Sequence, residues 1–343
     1  MNLQTVHAVP TRIHGGTDAL GLPAFDFSTN SNACGPCPIA RLAVTDADAS
    51  HYPDASYTAL RDKLAAFHGC EAWRIVIASS ASEFIFRITA LAKLNGASSV
   101  FVPPHSFGDY THAAHAWGLL LRMDAKDAGL IWHCQPSSPL GQVDSDNLEA
   151  TSAAIHVIDL AYAPLQLAGG NRAEAGRHDT VWQLYSPNKA LGLTGVRAAY
   201  AVAPLGSDLL VNQLAGLSAS WPLGAHGVAL LESWVTADVQ DWLADSLQTL
   251  QLWKTRQIEL LASLAWTCHP SVTNFFCAAP KLADGFTLEQ ALAALRRQGI
   301  KLRDTTSFGL PGQVRVSVQP PAAQDALQQS WLKIIKNTTK DRA

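Results

Sequence analysis

Short apolar strands alternating with helices of about ten to fifteen residues predict an α/β fold on a mostly parallel sheet. Two more observations shape that expectation. The chain has 343 residues, enough for a large domain with a smaller second one. Its texture also changes after residue 205, from strand–helix alternation to a long helical run. The first fifty residues, rich in Gly, Pro, Asn and Ser, read as loops or an arm. In SYTALRDKLAAFHGC, Leu60, Leu64 and Phe67 recur at helical spacing and Gly69 closes the helix. RIVIAS follows as a buried strand, SEFIFRITALAKLNG as a helix ending at Gly96, SSVFVPP as a strand, DYTHAAHAWG as a helix and LLLRM as a strand. AAIHVIDLAY and HDTVWQLYS are two further strands. From Gly227 the sequence GVALLESWVTADVQDWLADSLQTLQLWKTRQIELLASL reads as helical and includes a long bridging helix. TNFFCAA (strand), TLEQALAALRRQGI (helix), VRVSV (a strand of period-two polarity) and AAQDALQQSWLKII (helix) form a smaller α+β unit, and KNTTKDRA reads as a frayed tail. The expected organisation is an arm over 1–44 folding against the small domain, a large domain over 45–239 and a small C-terminal domain over 240–343.

Composition narrows the function classes. Hydrophobic residues make up 48% of the chain and charged residues 15%, which provides a sizeable core and argues against disorder. The net charge is −3 and no dense Lys/Arg run exists, so no nucleic-acid partner is expected. No apolar run approaches the roughly 20 residues of a membrane span. The N-terminal MNLQTVHAVPTRIHGG lacks the apolar core of a signal peptide, and a cytoplasmic protein is the expectation. Twelve histidines form no His-x-x-x-His or His-Glu-x-x-His pattern, and His112 and His115 stand three apart on an expected helix without a metal-ligand spacing of that kind, so no metal site is expected. Of six cysteines only Cys34-Gly35-Pro36-Cys37 spells a redox dithiol. Such a dithiol needs a strand before it and a helix after it in a compact βαβ unit. Here Asn, Ser and Gly crowd the upstream side and Pro38 follows at once, so no redox role is expected.

The chemistry concentrates in YSPNKALGLTGVR, residues 185–197. Lys189 stands in a turn after a strand, with Ser186 before it and Gly192, Gly195 and Arg197 after it. A partly desolvated amine can condense with an aldehyde. An arginine and a hydroxyl can hold a phosphate, and glycines let the backbone turn tightly around it. The same letters also suit a surface lysine in a glycine-containing loop. IHVIDLAYAPL ends a buried strand on Asp159 and then Tyr162. Ligand contacts in open α/β sheets fall at such strand ends. A carboxylate there can keep a pyridine nitrogen protonated, or it can cap the next helix.

Together these segments resemble the fold-type I pyridoxal 5'-phosphate (PLP) enzymes of the class I/II aminotransferase superfamily, over residues 14 to 330. The resemblance implies a PLP cofactor held covalently by Lys189, with Ser186 and Arg197 on its phosphate. It places Asp159 at the pyridine nitrogen and Tyr162 at the ring's phenolic oxygen. ASSASEFI matches the family's small-residue turn before a helix, where Ala81 and Ser82 offer backbone N–H groups to the phosphate. Phe107 matches the aromatic that stacks on the ring, and Arg315 the arginine that grips the substrate carboxylate. Ser138 stands where the family often has an Asn on the phenolic oxygen; a hydroxyl is shorter and offers one donor.

Within that superfamily the arm HGGTDALGLPAFDFSTNSNACGP is similar to that of threonine-phosphate decarboxylases of cobalamin biosynthesis, through His14, Gly15, Gly16, Asp26, Phe27, Ser28, Asn30 and Asn32. His14, Gly16, Asn32 and Arg303 join Arg315 as expected substrate contacts, and Cys34 is expected near the substrate mouth, open to thiol modification. Histidinol-phosphate aminotransferases share the body of the chain, including HYPD. Its Tyr52 implies a homodimer, because in those relatives this residue reaches the neighbouring subunit's site. The expected activity is decarboxylation of O-phospho-L-threonine to an aminopropanol phosphate; the alternative is an aminotransferase of the histidinol-phosphate type. A regulatory protein of the same fold without turnover, and then a thiol oxidoreductase, rank behind them. In each enzyme reading the partner is a small phosphorylated amino-acid substrate.

Overall fold

The computed structural model describes residues 14–143, 154–169 and 179–340. The arm carries β1 (Phe25–Asp26) and α1 (Pro38–Thr45). The large unit follows with α2 (Thr58–His68), β2 (Ile75–Ala78), α3 (Ala81–Leu94), β3 (Ser99–Phe101), α4 (Gly108–Ala116), β4 (Leu120–Arg122), β5 (Leu130–Cys134), β6 (Ile155–Asp159), β7 (Trp182–Tyr185), β8 (Ala199–Val202), α5 (Asp208–Gly216) and α6 (Ala225–Trp234). Its seven strands lie in the order β2-β8-β7-β6-β5-β3-β4. β8 runs antiparallel to both neighbours and the remaining pairs are parallel. β2, β7 and β8 are buried at every residue, and β2 reads as an unbroken apolar run rather than an alternation. Successive side chains feed cores on opposite faces of the sheet: Val157 packs with α3 and α4, and Ile158 with the core beneath α6 and α7.

The long helix α7 (Ala237–Ser263) leads into β9 (Thr267–Cys268), β10 (Phe275–Ala279), α8 (Leu288–Arg297), β11 (Ile300–Lys301), β12 (Arg303–Asp304), β13 (Val314–Ser317) and α9 (Pro321–Lys340). β12-β13-β10-β9 form an antiparallel sheet. A capping box of Thr287 and Gln290 starts α8.

The structure departs from the sequence reading in several places. Pro38–Thr45 is a helix, where glycine and proline content predicts irregular chain; Pro38 sits in its first turn, where a missing N–H costs nothing. β5 and β8 were not expected, because LIWHC ends in polar residues and AYAV is a short run after a glycine-rich turn. α5 was likewise not expected. The helical run from Gly227 breaks at Val235 and Thr236, which separate α6 from α7. The tail is helical through Lys340.

The arm rests on both units. β1 pairs in parallel with β11, Phe27 N–H donates to the Lys301 carbonyl at 2.9 Å, and Ser317 N–H donates to the Phe27 carbonyl at 2.9 Å. Beyond Ser28 the arm crosses to the turn that carries Lys189, and α1 packs on α6.

Candidate active site

The residues that carry chemistry sit where parallel strands end. Asp159 is the last residue of β6, Lys189 follows β7 in a tight turn, Ser138 follows β5 and Phe107 follows β3. This is the edge at which open α/β sheets place ligands.

The Lys189 turn is braced from within and from the arm. Asn188 accepts from the Ser186 hydroxyl at 2.9 Å and donates to the carbonyls of Thr194 and Val196. Asn32 N–H donates to the Lys189 carbonyl at 2.9 Å, and Cys37 N–H to the Leu191 carbonyl at 2.8 Å. Gly35 and Gly192 meet backbone to backbone: a Cβ on Gly192 would lie 2.9 Å from Gly35 Cα and 3.0 Å from Pro36 Cα. The Cys-Gly-Pro-Cys stretch is therefore a docking strap for the lysine turn. Cys34, expected near the substrate mouth, is half-buried beside α7. Its Sγ lies 3.6 Å from the Ser246 carbonyl, and burial pushes its thiol up to about 11, which disfavours the reactive thiolate.

Lys189 Nζ lies 5.3 Å from the centroid of the Tyr162 ring. Tyr162 Oη accepts from Asn30 Nδ2 at 3.3 Å, and its ring meets Phe275 edge-on at 4.7 Å. Asp159 is buried, and both of its oxygens have donors: Tyr110 Oη at 2.7 Å and Ala161 N–H at 2.9 Å. Ala81 and Ser82 open α3, where first-turn N–H groups have no intrahelical acceptor. Ser80 caps the helix through Glu83 N–H at 3.0 Å. Arg197 is exposed and donates to the Thr194 carbonyl at 3.2 Å. Phe107 is the residue before α4, half-buried, with the ring of exposed His14 at 6.3 Å.

Two arginines, Arg303 on β12 and Arg315 on β13, are buried. Arg315 is buried and donates to Ser138 Oγ at 3.2 Å and to the Ser28 carbonyl at 3.0 Å. Its Nε is buried without a partner among the described residues. Arg303, also buried, donates to Ser307 Oγ at 2.7 Å. The Phe308 ring lies near both guanidinium groups, its centroid 4.7 Å from Arg303 and 5.7 Å from Arg315. Burial, and then the charge of Arg315, lower Arg303 to about 10; burial lowers Arg315 as well.

Two expected substrate contacts are engaged elsewhere. Asn32 donates to the Ala190 carbonyl and to Ser246 Oγ and accepts from Cys34 N–H, so its side chain braces the lysine turn. Gly16 donates to Ser28 Oγ at 2.8 Å and accepts from Lys301 Nζ at 2.5 Å, which ties the arm down. Asn30 instead faces the site, with Oδ1 buried and unpartnered among the described residues. Sequence reasoning places Asn30 only in the arm motif; spacing cannot tell which of two asparagines in STNSNA turns inward. It misses Tyr110 and Asn188 as well, both of which read as ordinary helix and turn residues. Tyr52 is 79% exposed and stacks on Trp221 at 4.6 Å, away from this chain's own lysine turn.

The site fits PLP on its own geometry. An amine, a strand-end carboxylate with both oxygens fixed, an aromatic ring at a helix start and open helix N–H groups converge with the unpartnered polar atoms of Asn30 and Arg315.

The chain belongs to the aminotransferase class I and II family, whose model matches residues 23–329. This is a family of PLP-dependent enzymes, and the fold is that of type I PLP transferases. Among curated relatives it is 30% identical to a histidinol-phosphate aminotransferase of Jannaschia sp. (strain CCS1), over 91% of this chain and 90% of the relative. It is 28% identical to histidinol-phosphate aminotransferase 1 of Thiobacillus denitrificans, over 87% of this chain and 83% of that one. The fold matches the L-threonine-O-3-phosphate decarboxylase of Porphyromonas gingivalis with a TM-score of 0.76 at 20% identity, covering 90% of this chain and 99% of that one. It matches the histidinol-phosphate aminotransferase of Sinorhizobium meliloti, solved with pyridoxal-5'-phosphate, at 0.75 and 20% identity, covering 92% of each. Among the described residues no helix is long and apolar enough to cross a membrane.

Proposed function

We propose that this chain is a PLP-dependent aminotransferase for a phosphorylated amine of the histidinol-phosphate type, working as a homodimer. The observation that carries the substrate class is buried Arg315, whose Nε has no partner among the described residues: a desolvated guanidinium with an open donor suits an anionic substrate group. The curated relatives support the aminotransferase reading over the decarboxylase that the arm motif suggests.

Lys189 would hold the cofactor, with Asp159 at its ring nitrogen, Phe107 on its face, and Tyr162 and Asn30 toward its phenolic oxygen. Ala81 and Ser82 N–H groups, Ser186 and Arg197 would hold its phosphate. Bound there, PLP supplies an electron sink for a broken bond at the substrate Cα. Ser138, which donates one hydroxyl at most, is held by Arg315 and so orients that guanidinium. Arg303 and Arg315 bind and orient the anionic groups of the substrate. The Lys189 amine would hold and move the proton at the substrate Cα. The anion held by Arg315 would fix how the substrate lies in the site: the phosphate of histidinol phosphate, which has no carboxylate, or the carboxylate of O-phospho-L-threonine.

A second reading, decarboxylation of O-phospho-L-threonine, is favoured by the arm residues His14 beside Phe107 and Asn30 on Tyr162. Product analysis by NMR separates the two. Histidinol phosphate converted only in the presence of a keto-acid acceptor supports the aminotransferase. Carbon dioxide and an amine lacking the carboxylate, formed from O-phospho-L-threonine without an acceptor, would replace it with the decarboxylase.

A further inference from the structure

We propose that Tyr110 is the positioning residue that sets Asp159 for its work at the cofactor's ring nitrogen. This rests on the PLP reading of the site. Tyr110 sits in the first turn of α4, fully buried, and its Oη donates to Asp159 Oδ2 at 2.7 Å. The Ala161 N–H holds Oδ1 at 2.9 Å, so the carboxylate is fixed at both ends. The tyrosine itself has little room to move. Its ring lies parallel to Trp132, with centroids 4.4 Å apart and planes at 14°, and stands edge-on to Phe107 at 5.9 Å.

Two features favour this bond as a device rather than incidental packing. First, the hydroxyl stays a donor: burial and the adjacent carboxylate raise Tyr110 well above the usual phenol range. The neighbouring Cys134, paired with Asp159 across β5 and β6, is kept a neutral thiol by burial and by the same carboxylate, and it donates to the Pro136 carbonyl at 3.4 Å. The tyrosine and a backbone amide are thus the donors that orient the carboxylate. Second, α4 starts just after Phe107, the ring-stacking candidate. The hydrogen bond locks together the element that covers the cofactor ring and the strand end that meets its nitrogen. Removing the hydroxyl leaves Asp159 one fixed oxygen instead of two.

The test uses the full chain loaded with PLP carrying 15N at the ring nitrogen. Wild type is expected in the pyridinium shift range. Tyr110→Phe is expected to move toward neutral pyridine and to bind PLP about tenfold more weakly, as for loss of one hydrogen bond to a charged group. In an Asp159→Asn background, adding Tyr110→Phe should change affinity less than about twofold. A wild-type nitrogen shift in Tyr110→Phe, or a loss that adds fully to Asp159→Asn, overturns the proposal. A second measurement needs no variant. In wild type the Tyr110 hydroxyl proton is buried and slow to exchange, so its resonance should shift when PLP binds; an unmoved resonance overturns the coupling. Failure of wild type to bind PLP at all would instead refute the cofactor reading.

Discussion

Gly192→Ala tests whether the arm positions the Lys189 turn by backbone contact. Gly192 has φ +69°, and an added Cβ would stand 2.9 Å from Gly35 Cα and 3.0 Å from Pro36 Cα. The left-handed conformation costs an alanine about 1–2 kcal/mol. The clash is with main chain that cannot rotate away, and overpacking of that kind adds roughly 1–3 kcal/mol. Gly206 separates the two contributions. Its φ is +71°, but a Cβ there meets nothing within 4 Å, so Gly206→Ala carries the strain alone. Thermal unfolding followed by circular dichroism should show Gly192→Ala losing about twice as much as Gly206→Ala or more. The clash is relieved when the strap withdraws, which breaks Cys37 N–H to Leu191 and Asn32 N–H to Lys189. The yield of PLP fixed on Lys189 by borohydride should therefore fall in Gly192→Ala and hold in Gly206→Ala. Equal losses of stability and equal fixation in the two variants would refute the strap.

Burial lowers His68 to about 4, with its Nε2 2.9 Å from Tyr200 Oη. The unfolded chain takes up a proton near pH 6.5 that the native ring refuses, so stability should fall as pH drops from about 6.5 to about 4. His133, also lowered to about 4 by burial and then by His156, shares that window, so His68→Gln should flatten the urea-midpoint slope only in part; an unchanged slope would sink the assignment. For the dimer, exposed Tyr52 on its Trp221 platform is expected to complete the partner's site. Mixing Tyr52→Phe with Lys189→Ala subunits should then restore activity through the one intact site of the hybrid, and native mass spectrometry showing only monomers would reject it.

The α/β class and the positions of Lys189 and Asp159 after buried strands were legible in the chain because each is a local statement. A buried parallel strand must be an apolar run, and a residue at its end must face the ligand edge. Arg303 and Arg315 were singled out through resemblance, and the structure adds the Phe308 ring near both. Tertiary contact decided the rest. Asn30 and Asn32 are chemically identical and two residues apart; which one faces Tyr162 and which braces the lysine turn depends on how the arm crosses the Lys189 loop. Cys34-Gly35-Pro36-Cys37 has the letters of a dithiol, yet its work lies in the glycine, which lets two backbones touch more than 150 residues apart in sequence. Tyr110 reads as one more apolar position of a helix, and it meets Asp159 only because β3 and β6 flank β5 in the folded sheet. Periodicity and strand ends are properties of a segment and survive in one dimension. A hydrogen bond between distant segments is a property of their packing, and no local pattern in either one records it.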